Sequence, residues 1–339
     1  MLTLKDIAKE AGVSVMTVSN VINGKNSKVS KETINRIQKI IKDLHYTPNL
    51  NARSLAKRES RLIAVFVSTY VSAENVFKDP YVSDLFGEIE SAIHKNGYYT
   101  IIQSVDEPQT AINLLQNWQA DGAIFLSNQS PKNMEFLLEY CQCPVVFIDS
   151  MNNAERDYLT VEIDDKKGGY IATKYLIESG HKKIGFAGFL DEKESVIKER
   201  FKGYVQAMEE AGFQKFVNHI QTATGYEDGL EWGKSLAKKK LDVTAVFATA
   251  DLFALGLVEG AKQNGLTVPK NLSVVGFDNL SLCRYVSPRL TTISQDISHK
   301  GMAAVELLLR AVRKEKIPAD ERRIVCDVVL EKYQTVRKL

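Results

Sequence analysis

The sequence predicts a small all-α helix-turn-helix head followed by an α/β body of two doubly wound lobes, each built on a parallel sheet. Three observations carry this. Residues 1–46 show short helical stripes and no strand pattern, whereas from residue 62 onward short apolar runs alternate with amphipathic helical stretches. The alternation restarts near residue 184, which calls for two sheets rather than one. Charge is also divided: residues 1–58 hold eleven Lys or Arg against four Asp or Glu, a net +7, so within an overall +2 the rest of the chain carries −5.

In the head, Thr3 is placed to cap a first helix, with Asp6 at the capping-box position that usually holds Glu or Gln. Ile7, Ala8 and Ala11 fall on one side, and Gly12 suits the left-handed turn that follows. Ser14 caps a second helix whose Val18, Val21 and Ile22 face inward, leaving Val15, Met16, Thr17, Ser19 and Asn20 outside. A helix-turn-helix sets the start of its second helix in the major groove, so these side chains would meet base edges. Ser30 opens a third helix with Ile34, Ile37, Ile40, Ile41 and Leu44 at helical spacing. Pro48 then forbids simple continuation before residues 50–57, which include Ala52, Arg53, Ser54, Leu55 and Ala56.

In the body, strands are expected at 63–67, 99–102, 122–126 and 145–148, with helices near 83–95, 109–118 and 132–140. The second lobe shows strands at 184–187, 245–248 and 273–277, with helices near 166–179, 196–211, 228–239 and 252–264. Such lobes bind ligands at the carboxyl ends of their strands. The length of 339 residues implies more than one domain, and a 44% hydrophobic content suffices for real cores. The start of the chain is polar, and the apolar runs are too short to span a bilayer, so a cytoplasmic protein without membrane association is expected. Cys141, Cys143, Cys283 and Cys326 fit unpaired thiols in a reducing compartment.

Residues 1–60 resemble the headpiece of the LacI/GalR family of bacterial transcription repressors: the family pattern AxxAGVSxxTVSxVxN stands here as Ala8, Ala11, Gly12, Val13, Ser14, Thr17, Val18, Ser19, Val21 and Asn23. The bilobed body resembles the periplasmic sugar-binding fold, so the likeness spans essentially the whole chain. It implies a headpiece at 1–46, a hinge helix or linker at 47–60, and an effector-binding and dimerisation domain at 61–339. The first lobe would comprise about 61–160 and 293–320, and the second about 161–290 and 322–339, with a late strand at 324–330 returning to the second. DNA contacts are implied for Thr3, Ser14, Val15, Met16, Thr17, Ser19, Asn20 and Asn23, and for Asn51, Ala52, Arg53, Leu55 and Lys57 in the hinge segment. Hinge helices from two subunits would enter the minor groove, with Leu55 wedged between base pairs.

The same resemblance places Tyr81, Asp149, Arg200 and Asp278 in an effector pocket between the lobes. Carboxylates and a guanidinium suit a polyol, whose paired donors and acceptors must otherwise be buried unsatisfied. The implied effector is a sugar or sugar phosphate, with a purine as the alternative. Some positions depart from the family: Ala250 stands where a polar residue is usual, Thr224 where several members carry an aromatic, and Asn20 where arginine is common. Asn reads adenine in bidentate fashion, and Val15 and Met16 can touch thymine methyls.

An enzyme is the rival class, but residues 185–188, Gly-Phe-Ala-Gly, are not GxGxxG, and no GxxxxGK[ST] loop occurs. His45, His94, His181, His219 and His299 lack triad or zinc spacing, and Cys141 and Cys143 have no second ligand pair. No catalytic residue, metal or cofactor is expected. A freestanding sugar receptor would need an export signal and would have no use for the head. The expected partners are double-stranded operator DNA of pseudo-palindromic sequence, a small effector, and a second copy of the chain, since one headpiece reads too few bases alone. No leucine heptad follows Thr335 to build a tetramer.

Overall fold

The structure is a computed structural model describing residues 2–46, 59–68, 76–126, 130–150, 158–190, 195–236 and 243–339. It divides into two compact units at residue 60.

In the first unit, α1 (Leu4–Ala11), α2 (Val15–Ile22) and α3 (Lys31–Asp43) enclose a core of Ile7, Ala8, Ala11, Val18, Val21 and Ile37. The caps follow from the local sequence. The Asp6 carboxylate accepts from the Thr3 N–H at 2.8 Å and from its hydroxyl at 2.7 Å, and Gly12 ends α1 at φ 62°. Ser14 Oγ accepts from the Thr17 N–H at 3.1 Å, and Ser30 Oγ from the Thr33 N–H at 3.2 Å. Leu44, expected to extend the inner stripe of α3, lies just past the end of the helix and is exposed, because the helix stops at Asp43.

The second unit carries two sheets of six strands each among the described residues. The first sheet takes β1 (Leu62–Ser68), β2 (Tyr99–Val105), β3 (Gly122–Leu126), β4 (Val145–Ile148) and β5 (Leu159–Ile163). The second takes β6 (Ile184–Gly188), β7 (Asn218–Gln221), β8 (Ala245–Ala248), β9 (Ser273–Asp278) and β10 (Thr291–Ser294). β11 (Arg323–Cys326) then pairs with β5 in the first sheet, and β12 (Val329–Glu331) closes the second, antiparallel to β10. Every other pairing is parallel. β3, β4, β6, β8 and β9 are buried along their whole length, which is why they stand out as continuous apolar runs.

The first lobe contains α4 (Pro80–Lys95), α5 (Pro108–Trp118) and α6 (Pro131–Tyr140), and the second contains α7 (Asp165–Glu178), α8 (Val196–Glu210), α9 (Tyr226–Ser235), α10 (Asp251–Gln263) and α11 (Leu282–Tyr285). α12 (Ile297–Val312) returns to the first lobe, against α4, β3, β4 and β5. The chain thus crosses between lobes after β5, after β10, and between β11 and β12.

Two lobe assignments need correction. The stretch 324–330 is two strands in different sheets, broken at Asp327 and Val328, so residues 323–326 belong to the first lobe. β11 is an edge strand with alternating exposure, and the break is invisible in a run that stays largely apolar. The first lobe also extends through Ile163, because β5 pairs with β4, and it resumes only after Ser294, because β10 pairs with β9 in the second sheet.

Candidate functional site

On the head, the start of α2 presents Met16, 74% exposed, and Val15, 39% exposed, with Thr17, Ser19 and Asn20 half-buried beside them. Four of the nominated polar residues serve the fold. Thr3 donates its hydroxyl to Asp6, Ser14 and Thr17 share a hydroxyl contact of 2.9 Å over the α2 cap, and Asn23 Nδ2 donates to the Ser19 carbonyl at 2.7 Å. Asn51, Ala52, Arg53, Leu55 and Lys57 lie outside the described residues.

In the body, the four nominated residues converge at the carboxyl ends of the two sheets. Tyr81 is held in the first turn of α4, where its N–H donates to Asp79 Oδ1 at 2.9 Å. Asp149 follows β4 at φ 53°, and Asp278 ends β9 at φ 123°, a left-handed backbone that costs energy for a residue with a Cβ and aims its carboxyl away from the strand line. Arg200 sits in the first turns of α8, fixed from α7: a Cβ on Gly169 would stand 2.0 Å from the Arg200 carbonyl oxygen, and one on Gly203 2.0 Å from the Lys166 carbonyl oxygen. Only glycines at both crossings let α7 and α8 touch backbone to backbone.

That contact puts Asp165 Oδ1 2.7 Å from Arg200 Nε, while Arg200 Nη1 donates to the Thr249 carbonyl at 2.6 Å and the guanidinium lies 3.6 Å over the Phe277 ring. On the first-lobe side, Tyr81 donates its hydroxyl to Asp149 Oδ2. The ammonium of Lys300, on α12, donates to Tyr81 Oη at 2.9 Å, to Asp149 Oδ1 at 2.8 Å and to Gln295 Oε1 at 2.6 Å. Gln295 Nε2 in turn donates to Asp278 Oδ1 at 2.5 Å. A continuous hydrogen-bonded chain therefore runs from Tyr81 in the first lobe to Asp278 in the second.

Beneath Asp278, Asp251 Oδ2 accepts from the Leu280 N–H at 2.9 Å and from the Cys283 thiol at 3.0 Å, and its Oδ1 accepts from the Thr292 hydroxyl at 2.6 Å. These bonds hold the turn that carries Asp278. Burial pushes Asp251 up to about 6, against the pull of the hydrogen bonds from Cys283 and Thr292. Burial likewise pushes Asp165 up to about 6, against the pull of Arg200. Asp278 lies well above the usual carboxylate range, first from burial and then from neighbouring Asp251. Burial also holds the Tyr81 phenol well above its ordinary value, reinforced by Asp149.

Asp165, Asp251, Gln295 and Lys300 were not foreseen as part of this cluster. Lys300 left one signal: it falls in the inward stripe of α12 with Ala303, Ala304, Leu307 and Leu308, a place where a lone lysine needs partners. The arrangement presents carboxyl, hydroxyl and guanidinium groups suited to orienting a polar ligand, and none of its described residues is an activated nucleophile. The Cys283 thiol is buried and pushed far above its normal range by burial and by Asp251. Among the described residues no group of three or more His, Cys, Asp or Glu is placed to hold a metal, and no helix is long and apolar enough to cross a membrane.

A capped three-helix head whose second helix exposes Val15 and Met16, joined in one chain to a two-lobed body with a polar cluster at its strand ends, is the architecture of a DNA-binding regulator. The sequence profile described as "Bacterial regulatory proteins, lacI family" matches residues 3–49, and the "Periplasmic binding protein-like domain" profile matches residues 173–331. The HTH-type transcriptional repressor PurR of Pasteurella multocida (strain Pm70) is 33% identical over 336 residues, 96% of this chain and 95% of that protein. The Lac repressor dimer bound to operator and the anti-inducer ONPF superposes with a TM-score of 0.85 at 25% identity over 99% of both chains. The CelR–cellobiose complex superposes with a TM-score of 0.70 at 26% identity, covering 99% of this chain and 100% of that one. The chain belongs to the LacI family of bacterial regulatory proteins, and it is a DNA-binding transcriptional regulator rather than an enzyme.

Proposed function

We propose that the protein is a cytoplasmic repressor that binds a pseudo-palindromic operator as a homodimer and is controlled by a polyhydroxylated effector, a sugar or sugar phosphate, held between the lobes. The observation that carries this reading is the chain from Tyr81 through Asp149, Lys300 and Gln295 to Asp278, which spans the lobes and ends on carboxyl groups to which a polyol's hydroxyls can donate. CelR, a structural relative of the same two-lobed design, is seen with cellobiose.

In this reading α2 enters the major groove with Val15, Met16, Thr17, Ser19 and Asn20 toward the bases, and Thr3, Ser14 and Asn23 approach the phosphates. Asn51, Ala52, Arg53, Leu55 and Lys57 contact the minor groove, with Leu55 as the wedge. Tyr81, Asp149, Arg200 and Asp278 touch the effector. The test is fluorescence anisotropy of the full-length protein on fragments of its own genome, with and without sugars, sugar phosphates and purines. Preference for one fragment, altered by one ligand class, supports the reading; equal binding to all fragments under every condition rejects it.

A further inference from the structure

Lys300 has no exposed surface and lies in the apolar stripe of α12, yet each of its three ammonium protons has an acceptor: Tyr81 Oη, Asp149 Oδ1 and Gln295 Oε1. The direction of every neighbouring bond follows from this. Tyr81, accepting from Lys300, gives its own proton to Asp149 Oδ2. Gln295, gripped by its carbonyl oxygen, turns its amide nitrogen onto Asp278. The second cation is held by two of its five N–H groups, Arg200 Nε donating to Asp165 and Nη1 to the Thr249 carbonyl. Asp149 and Asp165 are the carboxylates paired with these two cations, and Asp278 is reached from Lys300 through Gln295.

Resting on the reading of this cluster as the effector site, we propose that Lys300 is a specificity-determining positioning residue: by keeping all its donors inside the protein it leaves the ligand a wall rich in acceptors, which takes a neutral sugar and rejects the same sugar carrying a phosphate. Sugar hydroxyls can donate to Asp149 and Asp278. A phosphate offers only acceptors and between one and two negative charges. To meet it, Lys300 would have to leave Asp149, stranding a partly buried carboxylate beside the incoming negative charge.

The test is isothermal titration of the full-length protein with ribose, glucose and cellobiose, and with ribose 5-phosphate and glucose 6-phosphate. At least one neutral sugar should bind, and the phosphorylated form of ribose or glucose should bind on the order of 100-fold more weakly than its parent, as like-charge juxtaposition demands. Asp149→Asn frees Lys300 from its counterion and should shrink that ratio about tenfold; Tyr81→Phe, which frees one donor without removing a charge, should shrink it in the same direction. A purely structural lysine would leave the ratio unmoved in both variants, and that result overturns the proposal. A phosphate bound as tightly as its parent sugar, or no binding of any neutral sugar, overturns it as well. Operator binding that answers to a purine or a sugar phosphate but to no neutral sugar defeats this inference while leaving the ligand-controlled repressor intact.

Discussion

Arg200 meets Asp165 at 2.7 Å because Gly169, four residues into the facing helix, lets the two helix backbones touch at the Arg200 carbonyl. The ion pair is buried on both sides, so its geometry is set by the helix contact and not by solvent.

Gly169→Ala should therefore act on the site through the fold. The added Cβ, 2.0 Å from the Arg200 carbonyl oxygen, forces α7 and α8 apart. Overpacking of this kind costs about 1–3 kcal/mol, so the denaturation midpoint should drop and ligand affinity should fall with it. Denaturant titration together with calorimetric titration of the bound sugar checks both; unchanged stability would show that the helices separate freely.

Gln295→Leu should remove the bridge to Asp278 and leave Lys300 with one acceptor fewer. Buried groups that lose partners cost about 1–3 kcal/mol each, so stability should fall by at least that much. A variant as stable as the wild type would mean that this bridge holds nothing.

Asp251 gives a pH dependence whose sign is fixed. Its folded value of about 6 lies above the ordinary carboxylate value of 3.8, so the folded state holds a proton that the unfolded chain releases between them. Its stabilising contribution is full below 3.8 and is lost as pH rises through about 6. The stability advantage of the wild type over Asp251→Asn should shrink by on the order of 2–3 kcal/mol between pH 4 and pH 7, measured by urea denaturation at both pH values. An advantage that grows over this window would reverse the assignment.

Met16 is nearly free of the head's core, so Met16→Ala should leave the head folded. Loss of a base contact should weaken operator binding by about 1–3 kcal/mol while non-specific binding stays near its original value, and both should fall steeply with salt. Equal losses on operator and random DNA would remove Met16 from the reading face.

The head was legible in the sequence because each of its signals is local: Thr3 with Asp6, Ser14 with Thr17, and Gly12 at a left-handed turn lie within one helical turn of what they stabilise. Buried strands such as β3 and β8 were legible as unbroken apolar runs. β5 (Leu-Thr-Val-Glu-Ile) and β7 (Asn-His-Ile-Gln) were not, because both mix polar residues into short, partly exposed strands. Tyr81, Asp149, Arg200 and Asp278 are nominated through resemblance alone. Lys300 escaped because its partners are distant in sequence: 219 residues separate it from Tyr81 and 151 from Asp149, and no local pattern announces such a contact.

The account stands on coupling between what fills the body and how the head grips DNA. The most direct measurement is operator affinity by anisotropy, with and without the sugar identified by titration, in the wild type and in Arg200→Ala. The wild type should change its operator affinity by about 5- to 150-fold on binding the ligand, the range of a 1–3 kcal/mol coupling, and in Arg200→Ala that ratio should fall to near one. An operator affinity indifferent to a ligand that demonstrably binds the wild type would contradict the account.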